Sequence, residues 1–169
     1  MKMTSAYANK LIKKLNEDKE FWCNKERNSC TYTVAVEEEA VVPEYDYSEV
    51  AARIEEIDEK IVKIKHAINV SNASNSVLVG DKQMTIDEIL VRMAQQSHRK
   101  DFLDYLRKKE PKTRLSGTYL SRKAVPEYEY INYDLELVKK EYDRVDAEIA
   151  AMQIALDKFN QTFEFEVDC

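Results

Sequence analysis

Apolar residues recur at Leu135, Val138, Tyr142, Val145, Ile149, Met152, Leu156 and Phe159 in an unbroken alternation of three- and four-residue steps. That spacing returns a side chain to the same face of an α-helix at every turn, so the run specifies one long helix with a single packing seam. Val50, Ile54, Ile57, Ile61, Ile64 and Ile68 obey the same rule. With only two glycines and three prolines, the chain has few places to turn, which favours a small number of long helices. Its 34% charged residues suit solvated helix faces, and its 44% hydrophobic content suffices for a core. All-β and Rossmann-type folds fit this pattern poorly.

Local signals divide the remainder. A first helix is expected from Thr4 or Ser5 to about Arg27, and the alternating, β-branched run Thr31–Val36 reads as a short strand. The second helix follows Pro43, with Asp46 or Ser48 as its cap, and Asn69 to Ser76 read as its end because small polar side chains compete for helical hydrogen bonds. Val77-Leu78-Val79 before Gly80-Asp81 resembles an extended arm and turn, and Thr85-Ile86-Asp87-Glu88 has the form of a capping box opening a third helix. In that helix the apolar row is interrupted at Gln95-Gln96-Ser97-His98, which reads as a polar layer in a bundle or, alternatively, a site. Tyr128 to Tyr133 suggest an extended segment able to pair with Thr31–Val36. The fourth helix is expected over Asp134 to Phe159, followed by an alternating strand from Thr162 to Val167.

The two heptad helices share a lead-in: Ala40-Val41-Val42-Pro43-Glu44-Tyr45 before one, Ala124-Val125-Pro126-Glu127-Tyr128 before the other. An internal repeat of residues 40–74 and 124–162 within one elongated domain, 1–169, is the corresponding expectation.

Charge is unevenly spread beneath a net −6. Between Glu37 and Lys60 stand ten acidic residues against Arg53 and Lys60, whereas Ser97 to Lys123 holds nine basic residues against Asp101, Asp104 and Glu110. The simplest reading sets the basic third helix against its acidic neighbours, within the chain or across a dimer; nucleic acid is an improbable partner at this net charge. The sharper alternative makes Arg92, Arg99 and Arg107, with the helix-end asparagines Asn69, Asn72 and Asn160, a site for an anionic nucleotide-like small molecule. Tyr32, Tyr45, Tyr47, Tyr128, Tyr130 and Tyr133 read as aromatic walls of such a pocket, as a packing layer where strands meet helix ends, or as an oligomer contact.

Catalytic signals are sparse. There is no glycine-rich phosphate loop, no His-Glu-x-x-His and no nucleophile elbow, and His66 and His98 read as surface or polar-layer residues. Glu55 and Glu59 stand one turn apart without a neighbouring Glu-x-x-His, so a carboxylate-bound metal is not expected, nor is any cofactor. Cys23, Cys30 and Cys169 lack the spacing of a zinc site. No apolar run reaches membrane-spanning length and no secretory signal is visible at the start, so a cytoplasmic location without membrane contact is expected.

Ile64-Lys65-His66-Ala67-Ile68-Asn69-Val70-Ser71-Asn72, then Gly80, Thr85 and Ile89-Leu90-Val91-Arg92, and finally Leu156-Asp157-Lys158-Phe159-Asn160 resemble the septicolysin-like family of bacterial and phage helical proteins. That family's pattern runs Ile-Asn-x-Thr-Asn, a turn glycine, Thr-Leu-Thr, Ala-x-Arg-Asp and a terminal Asn-Trp. Here Ser71 stands for the Thr, Met93 replaces a frequent charged residue, and Phe163 follows Asn160 at a distance in place of an adjacent Trp. The resemblance implies long antiparallel helical hairpins and supplies no activity.

The expected molecule is therefore mainly α: four long helices in an antiparallel hairpin or coiled-coil arrangement with a small accessory antiparallel sheet. Its expected function is that of a non-catalytic structural or interaction module that forms homo-oligomers, with anionic-ligand binding as the alternative.

Overall fold

The structure, a computed structural model, describes residues 1–115 and 127–168. It is mainly α, with helices α1 (Ser5–Ser29), α2 (Tyr47–Ser74), α3 (Ile86–Arg107) and α4 (Leu135–Thr162). Short strands β1 (Lys2–Thr4), β2 (Ser76–Val79), β3 (Lys82–Thr85), β4 (Lys112–Arg114), β5 (Tyr128–Tyr130) and β6 (Glu164–Glu166) stand between and beyond them. They pair as β1–β6, β2–β3 and β4–β5, three separate two-stranded sheets.

Contacts gather into two units, one of Met1–Val77, Thr85–Asp87 and the residues from Leu156 onward, the other of Leu78–Met84 and Glu88–Ala155. The first is built on the antiparallel α1–α2 hairpin. Thr4 caps α1 by accepting from the Tyr7 amide at 3.2 Å, and Asp46 caps α2 by accepting from Ser48 and Glu49. Ala8 and Ile12 pack with Ile57, Ile61 and Ile64 in the core, joined by Met3 of β1 and by Val167. β1 and β6 run antiparallel, Met3 opposite Phe165, so the alternation foreseen for the tail puts Phe165 on the core and Glu164 and Glu166 in water. Lys19 of α1 bonds Asp58 of α2 at 2.6 Å on the hairpin's flank.

In the second unit α3 and α4 run antiparallel, Arg92 meeting Glu148 and Lys100 meeting Asp146. Asp134 caps α4 as Asp46 caps α2, accepting from the amides two and three residues on, and both helices have 28 residues. Ala124, Val125 and Pro126 of the second lead-in of the expected repeat lie outside the described residues. The β2–β3 turn is Gly80-Asp81, with Gly80 at φ 62°, a value that favours glycine at the first turn position. β4 and β5 pair antiparallel, Lys112 opposite Tyr130 and Arg114 opposite Tyr128.

Three local expectations are corrected. Thr31–Val36 forms no strand; the Glu38 amide closes a turn on the Ala35 carbonyl at 3.1 Å, and Val36 is fully exposed. β-propensity records fit to a pleated, half-buried surface, and among the described residues no strand pairs with this segment to supply one. β5 pairs with β4, not with Thr31–Val36. Asn69 and Asn72 do not end α2, nor does Asn160 end α4: the helices continue to Ser74 and Thr162. Polar residues cost a helix only about 0.5 kcal/mol each, less than packing supplies, and Ser71 in this stretch is buried.

Candidate functional site

Of the polar interruption of α3, Gln96 is buried in a layer between α3 and α4, while Gln95, Ser97 and His98 are exposed. Gln96 is 6% exposed, and its Nε2 donates to Glu148 Oε2 at 3.2 Å. Arg92 Nε donates to Glu148 Oε1 at 2.9 Å, and Arg144 donates to Glu148 Oε2 at 3.1 Å while its other nitrogens hold Glu141. Glu148 is thus a single acceptor for three donors. Burial pushes its carboxyl pKa up, but hydrogen bonds and charge from Arg92 and Arg144 outweigh this and hold it below the ordinary value. A cleft of about 330 Å³ adjoins the layer, lined by Gly80, Asp81, Lys82, Arg92, Arg144 and Glu148 among others.

Further along α3, Arg107 donates to Asp104 at 2.8 Å and lies over the Tyr142 ring at 3.7 Å. Lys108 also bonds Asp104, and Lys109 bonds Glu129 at 3.3 Å. Lys100 bonds Asp146, which raises its pKa. Arg99 is exposed, and its charge reaches Glu141, contributing to that carboxyl's lowered pKa after the stronger effect of Arg144. Of the basic residues of this region, Arg92 and Lys100 pair with α4, Arg107 and Lys108 pair with Asp104 of α3 itself, and Lys109 pairs with Glu129 of β5.

The six candidate ligand residues divide between the units: Asn69, Asn72 and Asn160 in the first, Arg92, Arg99 and Arg107 in the second. Asn72 Oδ1 is buried without a hydrogen-bond partner among the described residues, as is Ser5 Oγ. The larger cleft of the first unit, about 600 Å³, is lined by Lys63, His66, Val70, Asn75, Phe165 and Asp168 among others, and not by the candidate asparagines. Helix periodicity gave no indication of this cleft, because β6, which forms one wall, arrives from the far end of the sequence. The candidate tyrosines divide too, with Tyr32, Tyr45 and Tyr47 in one unit and Tyr128, Tyr130 and Tyr133 in the other. Tyr45 donates to Glu26, Tyr133 to the Leu106 carbonyl, and Tyr128 and Tyr130 flank the Lys112 ammonium.

Among the described residues no group of three or more His, Cys, Asp or Glu is arranged to hold a metal, and no helix is long and apolar enough to cross a membrane. Cys23 and Cys30 are free thiols.

No protein-family model and no curated protein matches the sequence. By fold the chain is similar to the crystal structure of a functionally unknown conserved protein from Corynebacterium diphtheriae, with a TM-score of 0.67 and 15% sequence identity over 98% of this chain and 100% of that one. The likeness concerns the fold alone.

Proposed function

We propose that the chain is a non-catalytic interaction module that assembles with copies of itself. The observation that carries this reading is the set of large apolar side chains left in water by the single chain: Val36, Val41 and Val42 before α2, Val91, Phe102 and Tyr105 on α3, and Leu137 and Ile154 on α4. Isolated apolar residues on a surface are ordinary, but several on one helix favour a protein partner. The septicolysin-like resemblance belongs to the same proposal and rests on the residues quoted for it. A cytoplasmic setting fits the free thiols of Cys23 and Cys30.

Anionic-ligand binding is supported less well. Arg92 and Arg107 already engage Glu148 and Asp104, so an incoming phosphate would have to displace a carboxylate. Sedimentation velocity over a wide concentration range tests the leading reading: a concentration-dependent assembly is expected, and a monomer at every concentration overturns it.

A further inference from the structure

Helix α3 carries two rows. The inner row, Ile89, Met93, Gln96, Lys100, Leu103 and Arg107, is buried or half-buried. Val91, Ala94, His98, Phe102 and Tyr105 follow one another in steps of three and four and are all exposed, Val91 at 59%, Phe102 at 52% and Tyr105 at 55%. At 3.6 residues per turn these five fall within an arc of about 80°. The Phe102 and Tyr105 rings already stack, centroids 6.3 Å apart, so part of the row is ordered before any partner arrives.

We infer that this outer row is a self-complementary seam, on which α3 packs antiparallel against α3 of a second copy about a two-fold axis through His98. The inference rests on the self-assembly reading above and adds its face and register. Size supports it: with His98 on the axis, Ala94 meets Phe102 of the partner subunit and Val91 meets Tyr105 of the partner subunit, small against large at every step. Charge selects the direction. The helix begins at Asp87-Glu88 and is followed at its end by Lys108-Lys109, so an antiparallel pair sets acid against base where a parallel pair would set like against like. Lys109 lies over the Tyr105 ring at 5.0 Å, at the same end as the row's terminus. Because Lys108 and Lys109 also hold Asp104 and Glu129, these end charges govern orientation more than affinity. A polar residue at the middle of an apolar seam fixes register, which is the place of His98.

The experiment uses the full chain. In a background with Cys23, Cys30 and Cys169 changed to serine, His98→Cys is oxidised and compared with Val62→Cys, whose position on α2 is exposed and outside the seam. Helix axes about 8–10 Å apart, with Cα atoms about 2.3 Å off axis, bring two facing Cα atoms to about 3.4–5.4 Å, a range that overlaps the roughly 4.4–6.8 Å usual for a disulfide. A covalent dimer is expected at position 98 and not at 62. Separately, Phe102→Glu is expected to raise the self-dissociation constant at least about a hundredfold without altering helical content, while Val62→Glu leaves it unchanged. Should Phe102→Glu disturb the fold, Val91→Glu reads the same row. If the protein assembles but either arm fails, this pairing is overturned and the broader reading stands; a chain monomeric at every concentration overturns both.

Discussion

Replacing Glu148 by leucine isolates what the α3–α4 polar layer contributes, because this one carboxylate accepts from Arg92, Gln96 and Arg144. The two guanidiniums are roughly half exposed, so each turns to water at little cost. Arg144 also keeps Glu141. Gln96 is different: at 6% exposure its amide cannot reach solvent, and an orphaned buried donor costs about 1–3 kcal/mol. Glu148→Leu should therefore destabilise by about 1–3 kcal/mol. Adding Gln96→Leu removes the orphan and places two apolar side chains in the layer, so the double variant should lie within about 1 kcal/mol of the parent. At about 2–4 °C per kcal/mol for a chain of this size, the single variant loses about 2–12 °C in Tm and the double regains most of it. Urea titration and calorimetry of the parent, both single variants and the double measure the coupling. Simple addition of the two single effects would refute the reasoning, since it would mean that Gln96 does not depend on Glu148.

Ile64→Ala, at a site 1% exposed, should cost about 2–5 kcal/mol, whereas Val62→Ala on the open face of the same helix should stay within about 0.5 kcal/mol; equal urea midpoints would contradict the assigned seam. Acid should weaken the fold. Glu148, Asp104 and Glu141 have pKa values held below the usual carboxylate value, Asp104 by Lys108 and then Arg107, Glu141 by Arg144. The stability they contribute is present above the unfolded value of about 4 and is lost as pH falls through the depressed folded values, so urea midpoints should drop between about pH 5 and pH 2, less steeply in 1 M salt. A flat profile would contradict these pairings. Thermal shift against a panel of nucleotides should show no change; a dose-dependent shift abolished by Arg99→Ala would favour the anionic-ligand alternative.

The helices were legible because their information is local and repeated. Each position of the rows from Val50 to Ile68 and from Leu135 to Phe159 is buried or half-buried, and Thr4 and Asp46 cap where their side chains predict. Helix ends were less so, because a run such as Asn69-Val70-Ser71-Asn72 loses little by staying helical when Ser71 is buried. The sheets depended on partners the local pattern does not name. Glu164–Glu166 read as a strand on its own alternation, but its partner Lys2–Thr4 is three residues with no β signature, brought to it from the opposite end of the chain. Thr31–Val36 has the stronger β composition, yet pairs with no strand among the described residues. The candidate asparagines and arginines rested on residue type at helix ends and along α3, a signal that does not say which side chains share a unit.

Gln95-Gln96-Ser97-His98 looks like one break in one row only while α3 is assumed to have a single apolar face. Gln96 belongs to the inner row, where it is buried against Glu148, and His98 to the outer, where it is exposed between Ala94 and Phe102. Two residues apart on a helix means about 200° around its axis, so neither can serve the other's face. The polar stretch is the sum of two separate central positions, one in each row. A helix that merely covered a core would have a charged outer face at Val91, Phe102 and Tyr105. The sequence here keeps Val91, Phe102 and Tyr105 apolar along the length over which the inner row is packed, and under the pairing proposed above that outer face would lie against a second copy.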